Sequence, residues 1–329
     1  MIVTVTPNPA LDRTVEVPLL RRGELHRIRG ATVEPGGKGI NVARVLAANA
    51  VATQAVFPVG GADGDAFVAM LAHDIPVRSV AVSAALRVNV AVVEPGGQVT
   101  KLNEEGPELT ADDTRALLDA VREAARGASW VVSCGSLPRG LPAEFHAQVV
   151  AAAHAEGARA AVDTSGDALL AALEAEPDLV KPNRDELEQA GGLPIETFGD
   201  AVLAARSLVD QGARRVLASL GSEGALLVDA TSVLHGLAEC ARVQSTVGAG
   251  DALLAGFLAS DGSPVDALGH AVEWAARSVA TPGNGLSALA EASIGIGAVT
   301  AELDSAHRLN GEPTGPNLLN GVINRRTVV

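Results

Sequence analysis

Thr110-Ala111-Asp112-Asp113 opens the stretch whose reading decides the fold. Thr is a helix-capping residue, and acids in the next turn suit the positive end of a helix. The pattern predicts a helix to about Arg126. The apolar run Trp130-Val131-Val132-Ser133 then reads as a buried strand, and Gly135-Ser136-Leu137-Pro138-Arg139-Gly140 as the turn after it. A helix, a strand over 158–163, another helix and a short strand over 179–181 follow. Strands alternating with helices at this spacing predict an α/β fold, a parallel sheet with helices on both faces. Ligands of such sheets bind beyond the strand carboxyl ends. Candidates there are Asp12 after a first strand over 2–6, Ser136 and Arg139 after a middle one, and Lys181 and Asn183 after the next.

Downstream, Val247-Gly248-Ala249-Gly250-Asp251 runs directly into the apolar segment Ala252–Leu258, which reads as a helix. The first N–H groups of that helix would point into the Gly-rich turn and make an anion site. A carboxylate beside a bound phosphate is unfavourable unless it accepts a proton or positions a nucleophile. The turn therefore suggests phosphoryl transfer, with Asp251 as base and the Gly248, Ala249 and Gly250 amides as anion hole. A plain helix cap is the alternative. The turn is not a dinucleotide fingerprint, because the third glycine of that motif would fall on Leu253.

Upstream, Glu34-Pro35-Gly36-Gly37-Lys38-Gly39-Ile40-Asn41-Val42-Ala43-Arg44 leads into a helix from about Lys38 to Asn49. Adjacent glycines allow close approach of backbone to a ligand. Gly39 follows Lys38 where a Walker motif needs Ser or Thr. The stretch is either a plain strand-to-helix turn or a ligand site with Lys38 and Asn41 on its first turn. Lys181-Pro182-Asn183-Arg184-Asp185-Glu186 starts another helix. Asn183 and Glu186 match a capping box, and equally an outer-shell Mg²⁺ site with Lys181 near a phosphate. Further strands are expected over 14–17, 26–33, 53–59, 87–94, 98–102 and 215–219, with an antiparallel pair over 225–229 and 232–235 at a sheet edge. Helices are expected over 63–73 and 264–281, and a helix or short strand over 290–303.

Composition narrows the partners. With 47% apolar residues in 329, a sizeable core is possible, but aromatics are 2% and Tyr is absent, so Ala, Val and Leu must fill it. Few aromatics and a net charge of -14 argue against nucleic-acid or anionic-membrane surfaces as partners. Cys134 and Cys240 lie far apart in no metal-ligand spacing and read as reduced thiols, which suits a cytoplasmic protein. No apolar span is long enough for a membrane helix, and residues from about Gly311 read as a flexible tail (311–329).

The two Gly-rich stretches, in this order and at this separation, closely resemble the two signatures of PfkB-type, or ribokinase-like, carbohydrate kinases. Thr6-Pro7-Asn8-Pro9-Ala10-Leu11-Asp12, Arg87-Val88-Asn89-Val90, Asn103-Glu104-Glu105-Gly106-Pro107 and Gly135-Ser136-Leu137-Pro138 resemble the branch that phosphorylates sugar phosphates, 1-phosphofructokinase and tagatose-6-phosphate kinase. The resemblance runs to about residue 305. It implies a three-layer sandwich in one kinase domain over 1–310, with a mostly parallel sheet and a small β lid from residues 12–34 and 87–103. It implies ATP as donor, Mg²⁺, and a ketohexose monophosphate as acceptor. Fructose 1-phosphate is expected first, with tagatose 6-phosphate or fructose 6-phosphate as alternatives, and a need for K⁺ is left open. A non-catalytic sugar-phosphate-binding protein on the same fold is the rival from another class.

Residue by residue, the resemblance makes Asp251 the catalytic base and puts Asp12 and Asn41 on sugar hydroxyls and Gly37 against the ring. It puts Lys38 and Arg87 on the existing phosphate, with Ser136, Asn103, Arg27 and Arg139 as further candidates. It puts Lys181, Asn183, Ser219, Gly221, Gly224 and Asn284 around the nucleotide, and Glu186 on the metal through water. Such lids often pair between subunits, so a homodimer is expected. The sequence departs from the family pattern at Asn49-Ala50-Val51-Ala52, where a Leu-Gly turn is the common form, and at Glu239-Cys240-Ala241-Arg242, where a Pro-containing segment is commoner, with Gln244 beside it.

Overall fold

The computed structural model describes residues 1–95, 98–238, 240, 243–281 and 297–309. In chain order the first half comprises β1 (Ile2–Val5), β2 (Ala10–Glu16), β3 (Ala31–Gly36), α1 (Lys38–Ala48), β4 (Thr53–Val59), α2 (Gly61–Leu71), β5 (Val77–Ala81), β6 (Arg87–Val93), β7 (Val99–Asn103), α3 (Ala111–Ala125), β8 (Trp130–Cys134) and α4 (Phe145–Ala155). The second half comprises β9 (Arg159–Asp163), α5 (Asp167–Leu173), β10 (Leu179–Val180), α6 (Arg184–Gly191), α7 (Phe198–Asp210), β11 (Arg215–Ser219), β12 (Ala225–Asp229), β13 (Val233–Leu237), α8 (Ala249–Ala259), α9 (Pro264–Val279) and β14 (Ala298–Thr300).

The central strands are apolar throughout because both their faces are covered, as parallel sheets require. The main sheet has the order β14-β13-β12-β11-β10-β9-β8-β1-β4-β5. From β11 to β5 every pairing is parallel, and from β11 to β14 every pairing is antiparallel. Alternation along a strand assigns each side chain to a layer. Val3, Val5 and Val131 pack with Leu117, Phe145 and Leu208 from α3, α4 and α7. Ile2, Trp130 and Val132 pack on the other side with Val42, Leu254 and Leu268 from α1, α8 and α9. The result is three layers. With few aromatics to spend, the core places Phe57 and Phe67 edge-to-face at 5.2 Å under α2.

A second, separate sheet has the order β3-β2-β6-β7, with β2 and β6 parallel and the outer pairs antiparallel. The strand expected over 26–33 instead begins at Ala31 and runs through Pro35 to Gly36. Residues before it turn back on themselves, with the Arg21 N–H donating to His26 Nε2. Pro35 is tolerated because β3 is an edge strand. β5 and α7 go beyond the expected elements: Val-Arg-Ser-Val-Ala in β5 carries weak periodicity, whereas α7 has a local signal, a Thr197–Asp200 capping box and buried Phe198, Ala201, Ala204, Ala205 and Leu208 at helical spacing. The β12–β13 hairpin is antiparallel as expected but is not the sheet edge, because β14 pairs with β13. Of the segment 290–303, residues 298–300 are strand and 290–296 lie outside the described residues, as does the tail expected at 311–329.

Candidate active site

Two helix N-termini meet beyond the carboxyl ends of the parallel strands. Gly37, the N-cap of α1, has φ 121°, and a Cβ there would lie 2.8 Å from Thr6 Cγ2. Only glycine combines that left-handed backbone with so close an approach to the β1 turn. Gly248, the N-cap of α8, has φ 83°, again left-handed, which turns the chain so that Ala249, Gly250 and Asp251 form the first turn. The two helices share one apolar layer. At their tips the Asn41 side-chain N–H donates to Asp251 Oδ2 at 2.8 Å. Asp251 is buried, 8% exposed, but faces the α1 turn that carries Lys38 and Asn41 rather than the core behind it.

The charges around Asp251 form one cluster. Asp163, the fully buried last residue of β9, accepts from Lys38 Nζ at 2.8 Å and lies 3.2 Å from Lys181 Nζ. Lys38 Nζ is also 3.4 Å from Glu186 Oε1. A Cβ on Gly250 would be 3.4 Å from Lys181 Nζ, so that ammonium sits against the first turn of α8. Three carboxylates thus share two ammonium groups. Burial and the Asp163 charge push Asp251 up to about 7, against the opposing Asn41 hydrogen bond and the Lys181 and Lys38 charges. Burial would raise Asp163 as well, but Lys181 and Lys38 outweigh it and hold the carboxyl below its ordinary value. Lys38 is desolvated, yet Asp163 and Glu186 keep its pKa above that of an ordinary lysine. Of the two buried acids, Asp251 is thus the one more readily protonated.

A second group lies toward the small sheet. Asp12 Oδ1 accepts from Asn89 Nδ2 at 2.9 Å, and a Cβ on Gly36 would fall 2.1 Å from Asp12 Oδ2. The register aligns Asp12, Asn89 and Asn103 in one row across β2, β6 and β7. Asn8, 3% exposed, ties three loops together. Its side-chain N–H group donates to the Glu105 carbonyl at 2.9 Å and to Ser136 Oγ at 3.1 Å, while its own carbonyl accepts from Arg87 at 2.8 Å. Burial lowers the Arg87 pKa, opposed by the Asp12 and Glu104 charges. Arg139 and Arg27 are exposed; the Arg139 backbone bridges to Glu108.

On the opposite side, Asn183 and Glu186 form the reciprocal capping box of α6: the Glu186 N–H donates to Asn183 Oδ1 at 2.8 Å and the Asn183 N–H to Glu186 Oε2 at 3.0 Å. Asn183 also bridges to Ser219, which leads into the turn bearing Gly221 and Gly224. Asn284 lies outside the described residues. Among the described residues no group of three or more His, Cys, Asp or Glu could hold a metal directly. Glu186, already hydrogen-bonded and with a 15% exposed side chain, suits a hydrated Mg²⁺ carried on phosphates better than a protein-caged ion.

The structure therefore gathers Lys38, Asn41, Lys181, Glu186 and Asp251 in one place, and Asp12, Arg87, Asn103 and Ser136 in an adjoining one. Lys38 was expected with Arg87, but its partners are Asp163 and Glu186. Sequence reasoning missed Asp163, which joins the two lysines. Its signal was available: it is the acid that ends the apolar run Ala160-Ala161-Val162, at a strand carboxyl end. Asn8 and Asn89 were quoted in motifs without a role.

A buried acid at a helix amide turn, flanked by two lysines at the carboxyl ends of a three-layer α/β sandwich, defines a phosphotransferase acting on an alcohol. Residues 8–290 match the model of the pfkB family carbohydrate kinases. The chain is 37% identical over 260 residues to 1-phosphofructokinase of Bacillus subtilis strain 168, spanning 79% of this chain and 85% of that protein. It is 39% identical over 257 residues to ATP-dependent 6-phosphofructokinase isozyme 2 of Escherichia coli K12, spanning 77% and 83%. The solved structure of phosphofructokinase-2 from Escherichia coli in complex with potassium superposes with a TM-score of 0.82 at 36% identity, over 87% of this chain and 94% of that one. The fold is ribokinase-like, and the chain belongs to the pfkB family of carbohydrate kinases.

Proposed function

We propose that this kinase transfers the γ-phosphoryl of ATP to a hydroxyl of a ketohexose monophosphate, with fructose 1-phosphate as the preferred acceptor and fructose 1,6-bisphosphate as product. The observation that carries the reading is Asp251, raised to about 7 and hydrogen-bonded to Asn41, at the mouth of the α8 amide turn. An acid of that pKa is poised to take a hydroxyl proton near neutral pH. Asn41 and Asp12 would orient the acceptor hydroxyls, and Arg87, Ser136 and Asn103 would meet its existing phosphate. The Gly248–Gly250 amides and the Lys181 ammonium would stabilise charge on the moving phosphoryl. Bound Mg²⁺ would neutralise the nucleotide phosphates, with Glu186 holding one of its waters. Arg87 favours a phosphorylated acceptor, because a free sugar offers its half-buried guanidinium no phosphate to pair with.

Names of the relatives support two acceptors, fructose 1-phosphate and fructose 6-phosphate. A coupled assay with fructose 1-phosphate, fructose 6-phosphate, tagatose 6-phosphate and fructose decides between them. The expected result is the highest kcat/KM for fructose 1-phosphate and no use of fructose. Equal use of fructose, or ATP hydrolysis that ignores the acceptor, would refute the proposal. The same assay in K⁺ and in Na⁺ tests the monovalent-cation requirement. The small sheet would act as lid and dimer surface; its edge strands β3 and β7 leave Val33, Val99 and Leu102 exposed at 47%, 43% and 60%.

A further inference from the structure

The end of the main sheet remote from Asp251 carries a second feature. Parallel strands put all their amino ends on one side. Arg159 opens β9, Arg215 opens β11, Trp130 opens β8, and Asp178 immediately precedes β10. With the β12–β13 turn they line a pocket of about 360 Å³, within the range of roughly 300–1,000 Å³ typical of small-ligand sites. Arg159 and Asp163 are the two ends of one strand, so this pocket and the proposed active site occupy opposite ends of β9.

The lining is basic, although the chain carries a net charge of -14. Asp178 is spent: it pairs with Arg214 at 3.1 Å and His154 at 3.0 Å and accepts from the Ala160 N–H. Asp229 stands opposite Arg215 in the sheet, its Oδ1 accepting from the Thr231 and Ser232 N–H groups and the Thr231 hydroxyl. Among the described residues no carboxylate pairs with Arg159, Arg215 or Arg206, whose Nη1 reaches the Ala230 carbonyl on the rim at 3.4 Å. Arg159 instead lies over the Trp130 ring, 4.2 Å from its centroid. Trp130 is 3% exposed, and its indole N–H is buried without a partner. Two guanidinium groups without anions beside a pocket of this size are what a phosphate-bearing ligand pairs with.

We propose that this pocket is an anion site, separate from the active site, for a small phosphate-bearing metabolite held by Arg159 and Arg215. The chain's tryptophans are Trp130 and Trp274, so Trp274→Phe leaves Trp130 as the reporter. The experiment is a titration of that variant with pyrophosphate, without Mg²⁺ and at constant ionic strength, read by Trp130 fluorescence and by its indole N–H resonance. The expected result is a saturable change in both, with a midpoint at or below the millimolar range. Arg159→Gln with Arg215→Gln weakens it at least tenfold while kinase turnover is retained, which also reports that this variant folds. A flat titration, an equal response to chloride, or an undiminished response in the double variant would overturn the proposal. The last would assign the effect to the active site.

Discussion

At the scale of single residues, Asp251 decides the chemistry, and its environment fixes a pH dependence. Its pKa is raised to about 7, so the base form is lost as pH falls through that value. The proposed mechanism predicts that kcat/KM drops about tenfold per unit below pH 7; a profile flat down to pH 5.5 would contradict it. Stability runs the other way. A carboxyl whose pKa rises from 3.8 to about 7 on folding costs stability as pH climbs through that window, and the full cost is present above it. Asp251→Asn should therefore raise the melting temperature at pH 8, with the gain shrinking toward pH 4, as thermal scans would reveal. Lys38 offers a further test. Because its ammonium helps hold Asp251 down, Lys38→Ala should move the acid limb to higher pH and lower kcat by about 10²-fold. An unmoved limb with a rise only in acceptor KM would return Lys38 to the acceptor's existing phosphate.

At the scale of elements, α1 ends in a way that the sequence marks as unusual. Ala50 has φ 59°, the left-handed conformation that follows many helices and favours glycine, and the Val51 N–H closes the turn on the Leu46 carbonyl at 2.9 Å. Ala50→Gly should stabilise the chain by about 0.5–1 kcal/mol, since relief of the left-handed strain exceeds the added freedom of the unfolded chain. Calorimetry should register a melting point higher by about 1–3 °C; a lower one would refute the strain argument. Elements with strong local signals were legible. Capped helices such as α3, the apolar strands β8 and β9, and both Gly-rich turns could be read from sequence, because caps, periodicity and glycine act over a few residues. β5 and the start of β3 were not, since their pairing is set by partners far along the chain. The same limit hid Asn8, whose contacts with Glu105 and Ser136 no local pattern encodes. Asp163 was marked locally as an acid at a strand end, but its pairing with Lys38 and Lys181 is long-range.

At the scale of the whole molecule, a three-layer sandwich holds its reactive groups on helix first turns and strand ends at one end, with a small sheet beside them. None of the described helices is long and apolar enough to cross a membrane. The dimer proposed through the small sheet places the exposed side chains of β3 and β7 at the contact. Leu102→Lys with Val33→Lys, which share one row of the sheet, should shift sedimentation from dimer to monomer and raise acceptor KM by severalfold. A parent chain that sediments as a monomer would remove that prediction.

The most direct test of the account is Asp251→Asn assayed with ATP and fructose 1-phosphate, with ATP affinity measured on the same protein. The expected result is turnover lower by about 10²–10⁴-fold with nearly unchanged ATP binding. Turnover within a few fold of the parent would contradict the assignment of Asp251 as the base.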